Sequence, residues 1–154
     1  MAAEKRLLEY VTNEKFGYMF DTLARLCRFL AAKCDMSVRM RAAYRAGDKE
    51  SLAAVIAEIS HMVDLFDEFY HAFKKQWFKE SKPFGFETHE IRIGGLRLRL
   101  LSTKERVEEY LDGTVTEIPE LMEEILPISE YREGCSVYSG LNSWKKIASS
   151  SSAI

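Results

Sequence analysis

Two Glu-x-x-His pairs are the first residues in this chain whose spacing could do chemistry: Glu58 with His61, and Glu68 with His71. In di-metal helical bundles such a pair comes from each of two helices. Further glutamates come from two others, and the ligands converge on two metal ions. Here both pairs fall on one helix-forming segment, ten residues apart, or roughly 15 Å along a helix axis. They cannot close on one metal pair, so they read as surface residues engaged in salt bridges. His89 is the one remaining histidine, and no His and Cys set has the spacing of a zinc site. No metal and no cofactor is expected.

The other candidates are weaker still. No nucleophile–histidine arrangement, Walker motif or phosphate-cradling glycine loop is present. The carboxylates are many, but none forms a motif that commits a pair to general acid–base work. Cys27 and Cys34 are seven residues apart. On one helix they share a face but sit roughly 10 Å apart, too far to bridge. With Cys135 they make an odd set, which reads as buried thiols in a reducing compartment. Arg92, Arg97, Arg99 and Arg106, with Lys82 nearby, are the one cluster with a functional reading. They can bind an anion or a partner's carboxylates. The plainer alternative is a solvated helix face paired with Glu87, Glu90, Glu105 and Glu109. A net charge of −2 offers no basic excess for nucleic acid or an anionic membrane. No catalytic residue is assigned.

The elements that must position these residues read as helices. A length of 154 residues and a hydrophobic fraction of 47% suit one soluble domain. From 14 to 46 the apolar residues Phe16, Met19, Phe20, Leu23, Leu26, Cys27, Leu30 and Cys34 follow helical spacing. This predicts one long helix, stopped at Gly47. Asp48 is a fitting N-cap for the next helix, which runs from Lys49 to Glu80 behind a wide stripe of Leu52, Val55, Ile56, Ile59, Met62, Val63, Phe66, Phe69, Tyr70, Phe73 and Trp77. Its aromatic end reads as core in preference to a stacking platform for sugars or bases. Pro83 and Gly85 end it.

The stretch "HEIRIGGLRLRLLST" admits three readings. As a hairpin, leucines alternate with arginines about a Gly94–Gly95 turn, but no other segment supplies a partner strand. As a helix, Ile93, Leu96, Leu100, Val107 and Leu111 share one side, and the two glycines cost roughly 1 kcal/mol each relative to alanine. Such a cost is tolerable where small residues let another backbone approach. As a third option, Ser102 and Glu105 form a capping box that starts a helix at Thr103. A short helix, "IPELMEEIL", follows. Residues 127–154, with a serine run at 149–152, read as an irregular C-terminal arm that docks through Leu141, Trp144 and Ile147.

An ordered set of motifs then resembles a known family. It comprises a Tyr-x-x-Gly-Asp turn (Tyr44, Gly47, Asp48), Trp77 before Lys82-Pro83-x-Gly85, then Glu87 and Arg92-x-Gly94-Gly95. Tyr110 with Gly113, Ile118 to Leu121, and an Asn-x-Trp tail complete it. The pattern is similar to the all-helical C-terminal domain of bacterial family 20 glycoside hydrolases, the exo-β-N-acetylhexosaminidases of the streptococcal and Paenibacillus type. There the domain follows a (β/α)₈ barrel, and the Arg-x-Gly-Gly stretch lies on a helix. The family's catalytic Asp-Glu pair sits on the barrel, with a glycine two residues before it. Asp67-Glu68 lacks that context, so the resemblance implies no catalytic residue here.

These readings predict an all-α bundle of about three long helices plus a short one. A lead-in covers 1–13, the bundle 14–126 and the arm 127–154. The resemblance implies an accessory domain of a β-N-acetylhexosaminidase, non-catalytic by itself, partnered by a catalytic barrel and able to form a homodimer. Trp77, Lys82, Arg92, Gly94 and Gly95 are the expected surface toward the barrel. The alternative is a free-standing helical interaction module. No apolar run is long enough to span a bilayer, and the charged N-terminus lacks a signal-peptide core, so the cytoplasm is the expected location.

Overall fold

The computed structural model describes residues 2–123, and every regular element among them is a helix. The order is α1 (Ala2–Leu8), α2 (Gly17–Lys33), α3 (Met36–Ala46), α4 (Lys49–Glu80), α5 (Phe86–Asp112) and α6 (Pro119–Met122). This is the all-α bundle expected, with α2, α4 and α5 as the long members. The arm at 127–154 and Cys135 lie outside the described residues.

α4 is the spine. Its start is fixed where the sequence marks it. Gly47 adopts φ 67, ends α3, and sends its N–H to the carbonyls of Ala43 and Tyr44. The Asp48 carboxylate then accepts the Ser51 N–H at 3.0 Å and the Ser51 hydroxyl at 2.6 Å, and these bonds hold it below its ordinary pKa. Along α4, Leu52, Val55, Ile56, Ile59, Met62, Val63, Leu65, Phe66 and Ala72 are buried. Each large side chain among them contributes on the order of 1.5–3 kcal/mol. α2, α3 and α5 all pack on this helix. Side-chain bonds fix α2 and α5 antiparallel to it. Tyr18 donates to Glu80 at 2.8 Å and Arg25 pairs with Glu68 at 2.9 Å on one side. Tyr70 donates to Glu90 at 2.8 Å and Arg97 pairs with Asp67 at 2.8 Å on the other.

The single helix expected over 14–46 is two helices. The break falls at Cys34 and Asp35, both weak helix formers. Asp35 turns its backbone carbonyl to the N–H groups of Val38 and Arg39, and its carboxylate to the Arg39 guanidinium at 3.2 Å, so α3 starts afresh. Upstream, the Asn13 side-chain oxygen accepts from Lys15 and Phe16 N–H at 3.1 and 2.8 Å, and α2 begins only at Gly17.

A second difference concerns which side of α2 is inside. The buried residues are Gly17, Thr22, Ala24 and Phe29. The Phe29 ring packs tilted on Phe66 of α4, centroids 4.6 Å apart, and the Thr22 hydroxyl donates to the Tyr18 carbonyl at 3.0 Å. The stripe that the sequence marks as apolar is left largely in solvent, with Phe16, Leu23 and Leu30 all exposed.

The ambiguous stretch is helical. α5 starts after Gly85, held at φ 98, and runs unbroken through Gly94 and Gly95. Leu100 and Val107 are buried, and Ile93, Leu96 and Leu111 pack against the core. A sheet would have alternated these leucines; the helix uses a different subset. Ser102 and Glu105 lie inside α5, not at a helix start. Arg41 and Arg45 of α3 donate to the carbonyls of Glu120, Leu121 and Met122, which ties α6 to the bundle.

Gly17 is where α1 and its following turn press on α2. A Cβ there would lie 2.0 Å from the Val11 carbonyl oxygen, which is backbone and cannot swing aside. Gly17→Ala is therefore expected to displace that turn and destabilise the chain by roughly 1–3 kcal/mol. Thermal unfolding followed by circular dichroism reads this directly.

Candidate interaction surface

The elbow between α4 and α5 is assembled from its own sequence. The Trp77 indole N–H donates to the Lys82 carbonyl at 2.9 Å, which folds the chain back at the end of α4. Gly85 takes a left-handed φ of 98, and its N–H is received by the Glu87 carboxylate at 2.8 Å. The Trp77 ring then meets His89 at 4.7 Å and Phe86 at 5.8 Å, with Phe73 alongside. Such edge-on and tilted aromatic pairs add about 0.5–1.5 kcal/mol each beyond area burial. The Lys82 side chain and Phe84 are exposed at the tip of this elbow.

Beyond the elbow, α5 uses one face on α4. On that face Tyr70 and Lys74 grip Glu90, with Lys74 3.3 Å from both the Tyr70 hydroxyl and the Glu90 carboxylate. The Tyr70 hydroxyl and then Lys74 hold the Glu90 carboxyl below its ordinary range, while Tyr70 and Glu90 raise Lys74. Arg97 donates to Asp67 from Nε and Nη2, at 2.8 and 2.9 Å, and is raised by that carboxylate. These groups are solvated, so each pair is worth little in isolation and serves register.

The opposite face of α5 has no partner helix among the described elements. Ile91 is 46% exposed and Leu98 63% exposed. Gly95 lies between them at helical spacing; Gly94, half-buried, lines a cleft of about 340 Å³ beside Asp67, Tyr70 and Arg97 on the α4 flank, and a Cβ built on either glycine meets nothing within 4 Å. Arg92 is half-buried beside Gly95, three positions away on the helix. Arg99 and Arg106 lie further along that flank and line a cleft of about 300 Å³ with Ser102, Thr103, Ile118 and Leu121. Arg106 pairs with Glu109 at 3.3 Å.

Of the residues expected to face the barrel, the structure joins Trp77 to the backbone of Lys82 in the elbow. It places Arg92, Gly94 and Gly95 together on α5, roughly 12 Å further along the helix axis. Asp67 and Glu68 turn to opposite sides of α4, one to Arg97 and the other to Arg25. Glu58 is held by Arg39, 2.9 Å from its Nη1, and its carboxyl is depressed by that bond. His61 and His71 are exposed. Among the described residues no three His, Cys, Asp or Glu side chains come together as a metal site. The guanidinium clamp of Arg41 and Arg45 on α6 was not visible in the sequence, because its acceptors are backbone carbonyls.

Several motifs of the resemblance hold the described bundle together. The Tyr44 hydroxyl accepts the Ile118 N–H at 2.6 Å, and its ring packs on Tyr110 at 4.9 Å. Gly113 ends α5 at φ 87. With that geometry in place, the comparison with family profiles returns one described as the Glycoside Hydrolase 20C C-terminal domain, matching residues 1–137. The chain belongs to this family. A comparison with curated protein sequences finds no match. Membership in a C-terminal domain family implies a companion catalytic domain. No helix of the described residues is long and apolar enough to cross a membrane.

The glycine pair carries a measurable cost. Each glycine destabilises a helix interior by about 1 kcal/mol relative to alanine, and nothing inside the described bundle fills the space it leaves. Gly94→Ala and Gly95→Ala are each expected to raise the stability of the 154-residue chain by about that amount. Chemical denaturation gives the value; a loss of stability would show that the space is needed internally.

Proposed function

We propose that this chain is a non-catalytic accessory domain of a β-N-acetylhexosaminidase that removes terminal N-acetylhexosamine residues. Its task is to buttress a catalytic (β/α)₈ barrel, in the same chain or in a companion one, and to support a homodimer. Hydrolysis belongs to the barrel, where a carboxylate pair orients the substrate acetamido group and protonates the leaving oxygen. The carboxylates Asp67 and Glu68 are engaged by arginines, which suits a structural role. The thiols expected to be buried are not: Cys34 is exposed and Cys27 half-buried, both free; free thiols suit a reducing compartment, and we place the protein in the cytoplasm.

One observation carries the docking part of this reading. The family-pattern residues Tyr44, Gly47, Asp48, Trp77, Gly85 and Glu87 are all consumed in holding the bundle together. Gly94 and Gly95 are not: a Cβ on either would meet no atom, Gly95 lies between the exposed Ile91 and Leu98, and Gly94 opens onto the cleft beside Asp67 and Tyr70. A helix pays for two glycines where another surface comes within reach of its backbone. The barrel is that surface in this proposal, with Arg92 at its edge and Lys82 and Phe84 at the elbow tip.

In the full-length enzyme, Gly94→Leu or Gly95→Leu is expected to lower hydrolysis of a chromogenic N-acetylhexosaminide by roughly tenfold to a hundredfold. Arg92→Ala should weaken docking or activity while the isolated bundle stays folded. Unchanged activity and unchanged thermal unfolding in the glycine variants would overturn the docking proposal.

A further inference from the structure

The arginines that cluster in the sequence of α5 have different fates in the structure. Arg97 is engaged by Asp67. Arg99 and Arg106 line the cleft of about 300 Å³ among α3, α5 and α6. The Arg99 guanidinium forms no hydrogen bond or ion pair among the described residues, and the side chain is exposed. The reason is local. One turn away on α5 stand Gly95, Leu96, Ser102 and Thr103, none of them a carboxylate. Elsewhere in the bundle arginines are met: Arg25 by Asp21 and Glu68, Arg39 by Asp35 and Glu58.

Ser102 and Arg106 share a helical face with Arg99, three and seven positions on. The Thr103 hydroxyl is already donated to the Arg99 carbonyl at 2.7 Å, whereas the Ser102 hydroxyl has no bond among the described residues. Arg106 holds Glu109 at 3.3 Å, with both side chains about two-fifths exposed, a pair weak enough to exchange for another anion. The rest of the cleft is apolar. Met40, Val107 and Ile118 are 3%, 1% and 4% exposed, and Leu121 packs against the core beside them. Glu120, exposed, is the carboxylate among the lining residues. These walls are preformed. The Tyr44 hydroxyl accepts the Ile118 N–H, and Arg41 donates to the Glu120 and Leu121 carbonyls at 3.1 and 3.2 Å. Little ordering is left to pay on binding.

We infer that this cleft binds a small organic acid. Its anionic head lies among Arg99, Ser102 and Arg106, and its short apolar body lies on Met40, Val107, Ile118 and Leu121. A guanidinium and a hydroxyl on one face suit a carboxylate or phosphate oxygen. An inorganic anion would leave the apolar wall wet, and a neutral body would cover Arg99 without giving it a partner. The volume is at the lower end of ligand sites, which limits the body to a short alkyl chain or a single ring. Barrel docking uses a different part of α5, around Gly95 and Leu98, so the two readings stand or fall separately.

The test is titration of the 154-residue chain with hexanoate, followed by amide shifts in ¹H–¹⁵N nuclear magnetic resonance. Acetate, hexanamide, hexyl phosphate and inorganic phosphate are the comparison probes. Hexanoate is expected to bind in the millimolar range, about tenfold or more tighter than acetate or hexanamide, with shifts centred on residues 99–107 and 118–121. Whichever of hexanoate and hexyl phosphate binds tighter identifies the head. Arg99→Gln should weaken hexanoate about tenfold, Ser102→Phe should abolish binding by filling the cleft, and Lys75→Gln on α4 should change nothing, all with unchanged helical circular dichroism. Acetate or inorganic phosphate binding as tightly as hexanoate would show an adventitious ion only. Hexanoate binding that survives Arg99→Gln unchanged, or that does not saturate by about 50 mM, would equally overturn the inference. Binding to the 154-residue chain that is lost in the full-length enzyme would assign the cleft to the catalytic domain and overturn the small-acid reading, while barrel docking would stand.

Discussion

The described bundle depends on the burial of one continuous apolar face along α4. Thirty-two residues form that helix, and its interior members from Leu52 to Ala72 are shared by α2, α3 and α5. Leu52, Ile59 and Met62 are among the most deeply buried side chains, with Val107 of α5. Truncating any of them to alanine would leave a cavity costing on the order of 2–5 kcal/mol. Ion pairs add direction to what burial holds. Glu68 faces α2, Glu58 faces α3 and Asp67 faces α5, each meeting an arginine. The same helix therefore sets the register of three neighbours with three carboxylates.

A spine with neighbours on separate sides leaves outer surfaces behind. α5 commits one face to α4 and presents Ile91, Gly95 and Leu98 outward. α2 commits Phe29 and Thr22 to α4 and turns Phe16, Leu23 and Leu30 to solvent. Neither surface resembles a reaction centre. Both are apolar strips of a helix. The family assignment supplies a reason for such a domain to exist, since a C-terminal domain implies a catalytic domain beside it.

Much of this was legible before the structure. Gly47, Asp48 and the stripe of α4 are local signals, and each appears where the sequence puts it. The helix at α5 was not decidable from residues alone, because its leucines satisfy a period of two as well as one of 3.6. Burial of Leu100 and Val107 against α4 selects the helix. The break at Cys34 and Asp35 has no proline or glycine to announce it; the interaction of Asp35 with Arg39 does that work. The orientation of α2 was not legible for a general reason: periodicity identifies an apolar face but not its partner. Phe29, off the stripe, is the residue that reaches Phe66.

The candidate site was legible only in part. Gly94 and Gly95 stood out as a cost, and the structure shows that nothing inside the described bundle offsets it. Trp77 and Lys82 stood out by the resemblance alone, and the bond between the Trp77 indole and the Lys82 carbonyl that shapes the elbow has no sequence signal because its acceptor is backbone. The central claim is that this chain works as part of a larger hydrolase. It is tested most directly by immunoblotting source-cell extract against the chain and assaying the same fractions for release of a chromogenic N-acetylhexosamine. The account predicts a band several times the 17.8 kDa of this sequence, or a companion of that size in complex with it, with activity following the band. A band at 17.8 kDa that separates cleanly from all such activity would contradict it.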